Sequence, residues 1–535
     1  MGGIDSTPRV IESARRLSQS HLWQILRTYY KEKALDAWKD SKVPFHITSN
    51  PFIAYAYAQV VCAYLQDLAV NGEVPPLPLP IVDLGAGSGA FAYHFLNQFL
   101  QIRQQLREPA LPFVYVMTDF AAETIEGWQH HPQLTPFVEA GILDFASYDP
   151  LTDTSLTLHH SGRSLSRECP TPLVAIANYF FDSMPQDLFG LENGQIFEIG
   201  VKILANRIEA GQETVPTLTE LDFDYVYQPV DAPYYEDVEF QRLLHSYAEM
   251  LDGEVVRFPV GALTCCHALR ALSGNDLLLI AGDRGFVHGE ELSNEQVELL
   301  FNIHDGTFSM PVNLHAIGEY LCRDLGSVLR PPRFHRSLCV SAFVTQPKAQ
   351  RQMTHTAFHN HIAQFGPDDI STLTYRLTQD QTLSIECFIS LLHLTRHDPL
   401  VLKRCLPLVR EQLTKMRKAE IDVFVAEVEQ VWANYYDQKD RYNLPFELGV
   451  LMQQLGRNRE AVHYYQASQH YYGNTLETLF NLSTCLHQLG EQHQALSLLA
   501  DLDRLEITGP TLVQKHYHRR FEALRGAIQA AVVLE

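Results

Sequence analysis

Residues Ile81–Leu106 read IVDLGAGSGAFAYHFLNQFLQIRQQL. An apolar strand runs into a glycine-rich turn, and the turn opens a long helix. Gly85, Gly87 and Gly89 stand at that turn, where glycine lets the backbone approach a ligand and a helix N-terminus favours negative groups. GAGSGA satisfies both a GxGxG loop and the GxGxxA dinucleotide form. A tight strand-to-helix turn with no ligand would need the same residues.

The neighbouring segments extend the pattern. FVYVMTD (Phe113–Asp119) is a second apolar strand about one helix length later. FVEAGILDF (Phe137–Phe145) and LVAIANYFFD (Leu173–Asp182) continue the alternation, and NDLLLIAGDRG (Asn275–Gly285) is a late buried strand. Strand–helix repetition predicts an α/β fold with a doubly wound, mostly parallel, Rossmann-like sheet. FHRSLCVSAFVT (Phe334–Thr345) alternates as a closing strand. Residues 191–260 are mixed and read as a partly antiparallel insertion.

Acids mark the strand ends. Asp83 is placed to meet a cationic ammonium group, Asp119 to accept from ribose hydroxyls, and Asp144 to accept from an adenine amino group. Such folds bind ligands at the carboxyl ends of their strands. S-adenosyl-L-methionine combines an amino-acid end, a ribose and an adenine, and so fits the set of three. A nicotinamide dinucleotide uses the glycine turn and the ribose acid but gains nothing from Asp83. Each Asp alone is as well explained as a helix cap or turn residue. Together they resemble the cofactor site of a class I methyltransferase.

Asn178–Phe189, NYFFDSMPQDLF, resembles the NE-x-FDALP-x-x-x-F signature of the MidA family, methyltransferases of the mitochondrial complex I assembly type considered to modify protein arginine. The order of further segments is similar from about residue 40 to 345, from FHITSNPFIAYAYAQVV through LLLIAGDRGF to GTFSMPVNLHAIGEYL. The resemblance implies a cofactor loop at Asp83, Gly85 and Gly87, a ribose acid at Asp119, and a segment over the cofactor containing Phe45, Thr48 and Ser49. It also implies an acceptor side at Asn178, Asp182 and Pro185. Tyr179 stands where the family has Glu, Arg284 replaces a tyrosine, and SMPVNL lacks the family's His and Asp. Asn178, Tyr179 and Asp182 are the candidate catalytic residues. Asp83, Gly85, Gly87, Gly89, Asp119, Asp144 and Thr48 are the candidate cofactor residues.

The rest of the chain organises around this domain. Residues 1–70 are expected to be an N-terminal helical segment, 71–345 the α/β domain and 346–370 a polar linker. Residues 371–535 read as an all-α region. There FELGVLMQQLGRNREAVHYY from Phe446 and FNLSTCLHQLGEQHQALSLL from Phe480 repeat, aligning Leu448 with Leu482, Gly456 with Gly490 and Ala461 with Ala495. The spacing resembles a tetratricopeptide solenoid. It predicts either a groove for a protein substrate or partner, or a packing surface of the kind that forms a homodimer.

Composition narrows the classes. A net charge of −22 over 535 residues disfavours nucleic-acid binding, because phosphate neutralisation needs clustered Lys and Arg. No apolar run is expected to reach membrane-spanning length. The nine cysteines lack CxxC spacing and the 24 histidines lack HExxH, so no metal site is expected. Scattered thiols in apolar contexts read as reduced and buried, which points to the cytoplasm.

Overall fold

The computed structural model describes residues 9–105, 111–205, 217–231, 233–293, 301–304, 306–332, 337–380, 382–502 and 511–534. The chain forms two compact units, Met1–Thr372 and Leu373–Glu535. α/β architecture fills the first and helices the second.

The first unit is built on a seven-stranded sheet: β1 (Leu79–Leu84), β2 (Phe113–Asp119), β3 (Leu143–Ser147), β4 (Leu173–Asn178), β5 (Leu277–Asp283), β6 (Ser327–Leu329) and β7 (Cys339–Val344). Their spatial order is β6-β7-β5-β4-β1-β2-β3, parallel from β5 through β3. β7 runs antiparallel to both β5 and β6. All residues of β1, β2 and β5 are buried, so these strands read as continuous apolar runs rather than alternating ones. Alternate residues still choose faces. Val82, Leu84, Val116, Ala175 and Leu279 join Leu244, Leu263 and Ile317 in one core. On the other face Phe95 lies 5.2 Å from Tyr115.

Helix α1 (Leu22–Lys33) precedes the sheet. Helices α2 (Pro51–Val70) and α3 (Ala90–Gln105) pack against each other. Asn50 starts α2: its side-chain oxygen accepts from the N–H groups of Phe52 and Ile53, and Pro51 occupies the first turn, where its missing N–H costs nothing. By length and composition His46–Val70 could cross a membrane, contrary to the expectation from sequence. It is a core helix: 72% of its apolar window is buried. A mostly apolar helix is explained equally well by burial on all sides.

Insertion residues form a second, antiparallel sheet, in the order Arg9–Arg15, Gln195–Ala205, Asp187–Glu192, Glu254–Phe258, with Leu221–Pro229 also on Gln195–Ala205. Its first strand corrects the expected N-terminal helix. Arg9–Arg15 pairs with Val201–Ala205, because a long strand with a free edge offers ladder partners that outweigh local propensity. Buried Glu12 then takes hydrogen bonds from Ser20 Oγ at 2.5 Å and His21 N at 3.1 Å.

Residues 346–370 are not the expected linker. Gln352–Phe358 is helical, His359–Ala363 forms a π-turn, and a further helix begins at Pro367. Arg351 is fully buried, pairing with Glu73 at 2.7 Å and Asp276 at 2.9 Å. Thr354 donates to Asp67 through its N–H at 2.8 Å and its hydroxyl at 2.7 Å. The polar side chains that read as solvated bind acids of the first unit instead. Of the expected closing strand, Cys339–Val344 is present, while 333–336 lie outside the described residues.

In the second unit the 34-residue repeat appears as two successive helical hairpins, Leu444–Gln454 with Asn458–Tyr472 and Leu476–Gln488 with Gln492–Leu502. Gly456 (φ +71°) and Gly490 (φ +84°) end the first helix of each hairpin. Ala461 and Ala495, both fully buried, let the second helix pack close.

Candidate functional site

The strand order reverses between β1 and β4, and a crevice opens where such a reversal separates adjacent loops. Here the glycine turn after β1 faces the Asn178–Pro185 segment after β4. A cavity of about 280 Å³ lies there, lined by both segments, by Asp119, and by residues between Trp23 and Ser49, with Arg27, Trp38, Phe45 and Thr48 among them. This is close to the lower end of small-molecule sites.

The turn after β1 is left-handed at three points, Gly85 (φ +61°), Gly87 (φ +57°) and Gly89 (φ +84°). Close packing adds to the need for glycine. A Cβ on Gly85 would lie 2.8 Å from Phe180, and one on Gly87 would lie 3.2 Å from Trp38. Gly89 does not line the cavity; its N–H donates to Ala86 O at 3.0 Å and closes the turn into α3.

Asp83 and Asp119 both line the cavity, and both are buried. Tyr115 Oη donates to Asp83 Oδ2 at 2.9 Å. Burial pushes the Asp83 carboxyl up to about 7, with the Tyr115 hydrogen bond opposing it. Asp119 Oδ1 accepts from Ala121 N at 2.8 Å. Burial raises Asp119 to about 6, against its backbone donors and the charge of Arg27.

Asp144 corrects the sequence reading. It is the second residue of β3, opposite Val116, and not the strand's end. Its carboxylate accepts from the backbone N–H groups of Phe145, His160 and Ser161, at 2.8, 2.9 and 3.0 Å. Burial would raise its pKa, but these donors hold it below the usual value. It ties down a loop and does not line the cavity. The acid that β3 does deliver is Asp149. It sits just past the strand end and pairs with Arg27 at 2.6 Å.

After β4 the chain makes a sharp turn. Tyr179 is held at φ +48°, unusual for an aromatic residue, with its N–H on Gly282 O at 2.8 Å. Its hydroxyl donates to Ser337 O at 3.3 Å. Asn178 Oδ1 accepts from Tyr57 Oη at 2.9 Å, and its Nδ2 donates to Thr48 O at 3.4 Å. The Thr48 hydroxyl itself donates to Phe45 O at 2.9 Å, so Thr48 reaches Asn178 through its carbonyl.

Asp182 is buried and lines the cavity; Ser183 Oγ donates to its Oδ1 at 2.9 Å. Burial pushes it up to about 7, opposed by Ser183 and by the charge of Arg284. Asp283, the last residue of β5, is fully buried beside it. Burial and then the charge of Asp182 push Asp283 well above the carboxylate range. Phe181 N donates to Asp283 Oδ2 at 3.2 Å, and Oδ1 has no partner. The repulsion between two such buried acids favours the protonated form of Asp283.

The structure therefore brings Asp83, Gly85, Gly87, Asp119, Thr48, Asn178, Tyr179 and Asp182 to one cavity and leaves out Gly89 and Asp144. Sequence reasoning missed Arg27, Trp38, Phe120 and Asp149, which also line the cavity. Arg27 lies over the Phe120 ring, 4.4 Å from its centroid. Phe120 and Asp149 carried a signal, since each sits just past an apolar strand. Arg27 and Trp38 carried none, because they reach the site through the tertiary fold.

Residues 58–280 match the family model described as "Putative S-adenosyl-L-methionine-dependent methyltransferase", which names the cofactor of the matched segment. No curated protein matches the chain. Two solved structures from Burkholderia thailandensis are similar. One, an uncharacterized superfamily protein, is 14% identical over 64% of this chain and 71% of its own, with a TM-score of 0.33. The other, a member of the same superfamily described as a "likely methyl transferase" and bound to S-adenosyl-homocysteine, is 15% identical over 62% of this chain and 88% of its own, with a TM-score of 0.39.

Proposed function

We propose that the first unit is a class I, MidA-like methyltransferase that binds S-adenosyl-L-methionine and methylates a nitrogen, of arginine or another side chain, on a protein. The observation that carries this reading is the convergence at one cavity of the glycine turn, Asp83 and Asp119 with the Asn178–Asp182 segment. The residues fit the cofactor. Asp83 would hold its ammonium group, Gly85 and Gly87 would let its chain approach the backbone, and Asp119 has an oxygen left for the ribose. Phe120 and Asp149 flank the place left for the adenine.

The cofactor supplies a methyl group already activated on a sulfonium. The chain's task is alignment and the exclusion of water. Asn178 is held by Tyr57 and Thr48, and its Oδ1 keeps a lone pair for an acceptor N–H. Asp182 Oδ1 is engaged by Ser183, so Oδ2 is the atom that receives the acceptor's proton. A base with a pKa near 7 is matched to that step. Tyr179 cannot pair with a guanidinium as the family's Glu would. Asp182 is then the acid on the acceptor side of the cavity that remains for a cationic acceptor.

The helical repeats would recruit the protein substrate or partner. The Tyr179 replacement also favours a second reading, a cofactor-binding scaffold without transfer. Incubating the purified chain with methyl-labelled cofactor and a cell extract separates the two. Methyl transfer predicts labelled protein, reduced about 100-fold or more in Asp182→Asn. Tight cofactor binding with no label in any protein would favour the scaffold.

A further inference from the structure

We propose that His393, His397 and Glu427, in the second unit, form a binding site for a divalent transition-metal ion of the zinc class. His393 lies in the last turn of the helix Ile385–Leu394, His397 follows four residues later, and Glu427 belongs to the helix Lys418–Ala433. Both imidazoles aim the same atom at the same oxygen. His393 Nε2 is 2.9 Å and His397 Nε2 is 2.6 Å from Glu427 Oε2. All three donor atoms lie within 4.8 Å of one another. A tetrahedral ion with ligand bonds of about 2.0–2.1 Å spaces its ligands by about 3.4 Å. His393 and His397 need move away from Glu427 by only about 0.5 and 0.8 Å to accept one.

The backbone is built to aim His397. Arg396 and His397 are consecutive non-glycine residues at φ +58°, a conformation each adopts at a cost. Asn434 Nδ2 holds this turn by donating to Arg396 O at 2.8 Å and His397 O at 3.3 Å. Without the turn, His397 would continue along the helix or point away from Lys418–Ala433.

Chemistry selects the ion. Two imidazoles and one carboxylate suit zinc, cobalt, nickel or copper, whereas calcium and magnesium need all-oxygen shells. His393 is 57% exposed while Glu427 is 15% exposed, so one side stays open for water or a fourth ligand. A bound ion would clamp Ile385–Leu394 to Lys418–Ala433, which already touch, and stabilise the second unit. The expectation of no metal site rested on motif spacing, and Glu427 lies too far along the chain for any motif to include it.

The test uses the full chain, stripped with a chelator and titrated with zinc ion at pH 7.5. The proposal predicts saturation at one equivalent and a rise of several degrees in the melting transition of the second unit. Binding should weaken at least 30-fold in His397→Ala and in Glu427→Gln, with circular dichroism unchanged. Cobalt substitution separates this site from the nine cysteines: d–d bands without thiolate charge transfer are expected, and their loss in His397→Ala. Absence of zinc binding to the wild-type chain, or equal binding by the folded variants, would overturn the proposal.

Discussion

Position 85 combines two constraints, a φ of +61° and a missing Cβ that would press on Phe180. An L-residue in the left-handed region costs about 1–2 kcal/mol before any clash. Gly85→Ala should therefore lose at least that much stability by urea unfolding and weaken cofactor binding about 10-fold or more by calorimetry. Asp83 sets a different dependence. Its carboxyl titrates at about 7, and only the ionised form attracts an ammonium group. Cofactor affinity should rise between pH 6 and pH 8, and the Asp83→Asn variant should bind more weakly with a flatter profile. The glycine turn and Asp119 were legible in the sequence because the apolar strands before them end plainly, and Asp83 was legible beside the turn although Leu84 and not Asp83 closes its strand. Asp144 was misread because ILDFAS holds an acid inside the strand, and apolar pattern alone cannot say on which side of an acid a strand stops.

At the scale of elements, α2 carries the site from its N-terminus. Asn50 caps the helix and also donates to His46 O at 2.9 Å, linking the cap to the segment that contains Thr48. Tyr57, two turns on, holds Asn178. Asn50→Ala should cost about 1 kcal/mol in thermal or urea unfolding. The parallel strands and the helices Leu22–Lys33, Pro51–Val70 and Ala90–Gln105 were legible from apolar pattern, since burial writes itself into composition. Arg9–Arg15 and Gln352–Ala363 were not. One is a strand only because Gln195–Ala205 offers an edge, and the other is anchored by buried Asp67 and by half-buried Glu73 and Asp276, far away in sequence. Polar residues look alike in a sequence whether water or a buried carboxylate satisfies them.

For the whole molecule, the buried acids of the first unit set the pH dependence of stability. Asp83 and Asp182 titrate at about 7 and Asp119 at about 6, all above their unfolded values. The folded state then binds more protons than the unfolded state between about pH 4 and 7. Their contribution to stability is complete below the unfolded pKa and is lost as pH rises through 7. Without cofactor, the first unit should be more resistant to urea at pH 5 than at pH 8, and Asp182→Asn should shrink that difference. A chain with ordinary exposed carboxylates would show no such decline. These unpaired acids keep a cavity ready for a cation at the expense of stability, a pattern expected at sites of function rather than in a core chosen for packing.

The central claim is that this cavity binds S-adenosyl-L-methionine. Isothermal titration of the full chain at pH 8 tests it most directly. The account predicts saturable binding at one cofactor per chain, weakened at least 10-fold in Gly85→Ala. A folded wild-type chain that gives no saturable binding would contradict it.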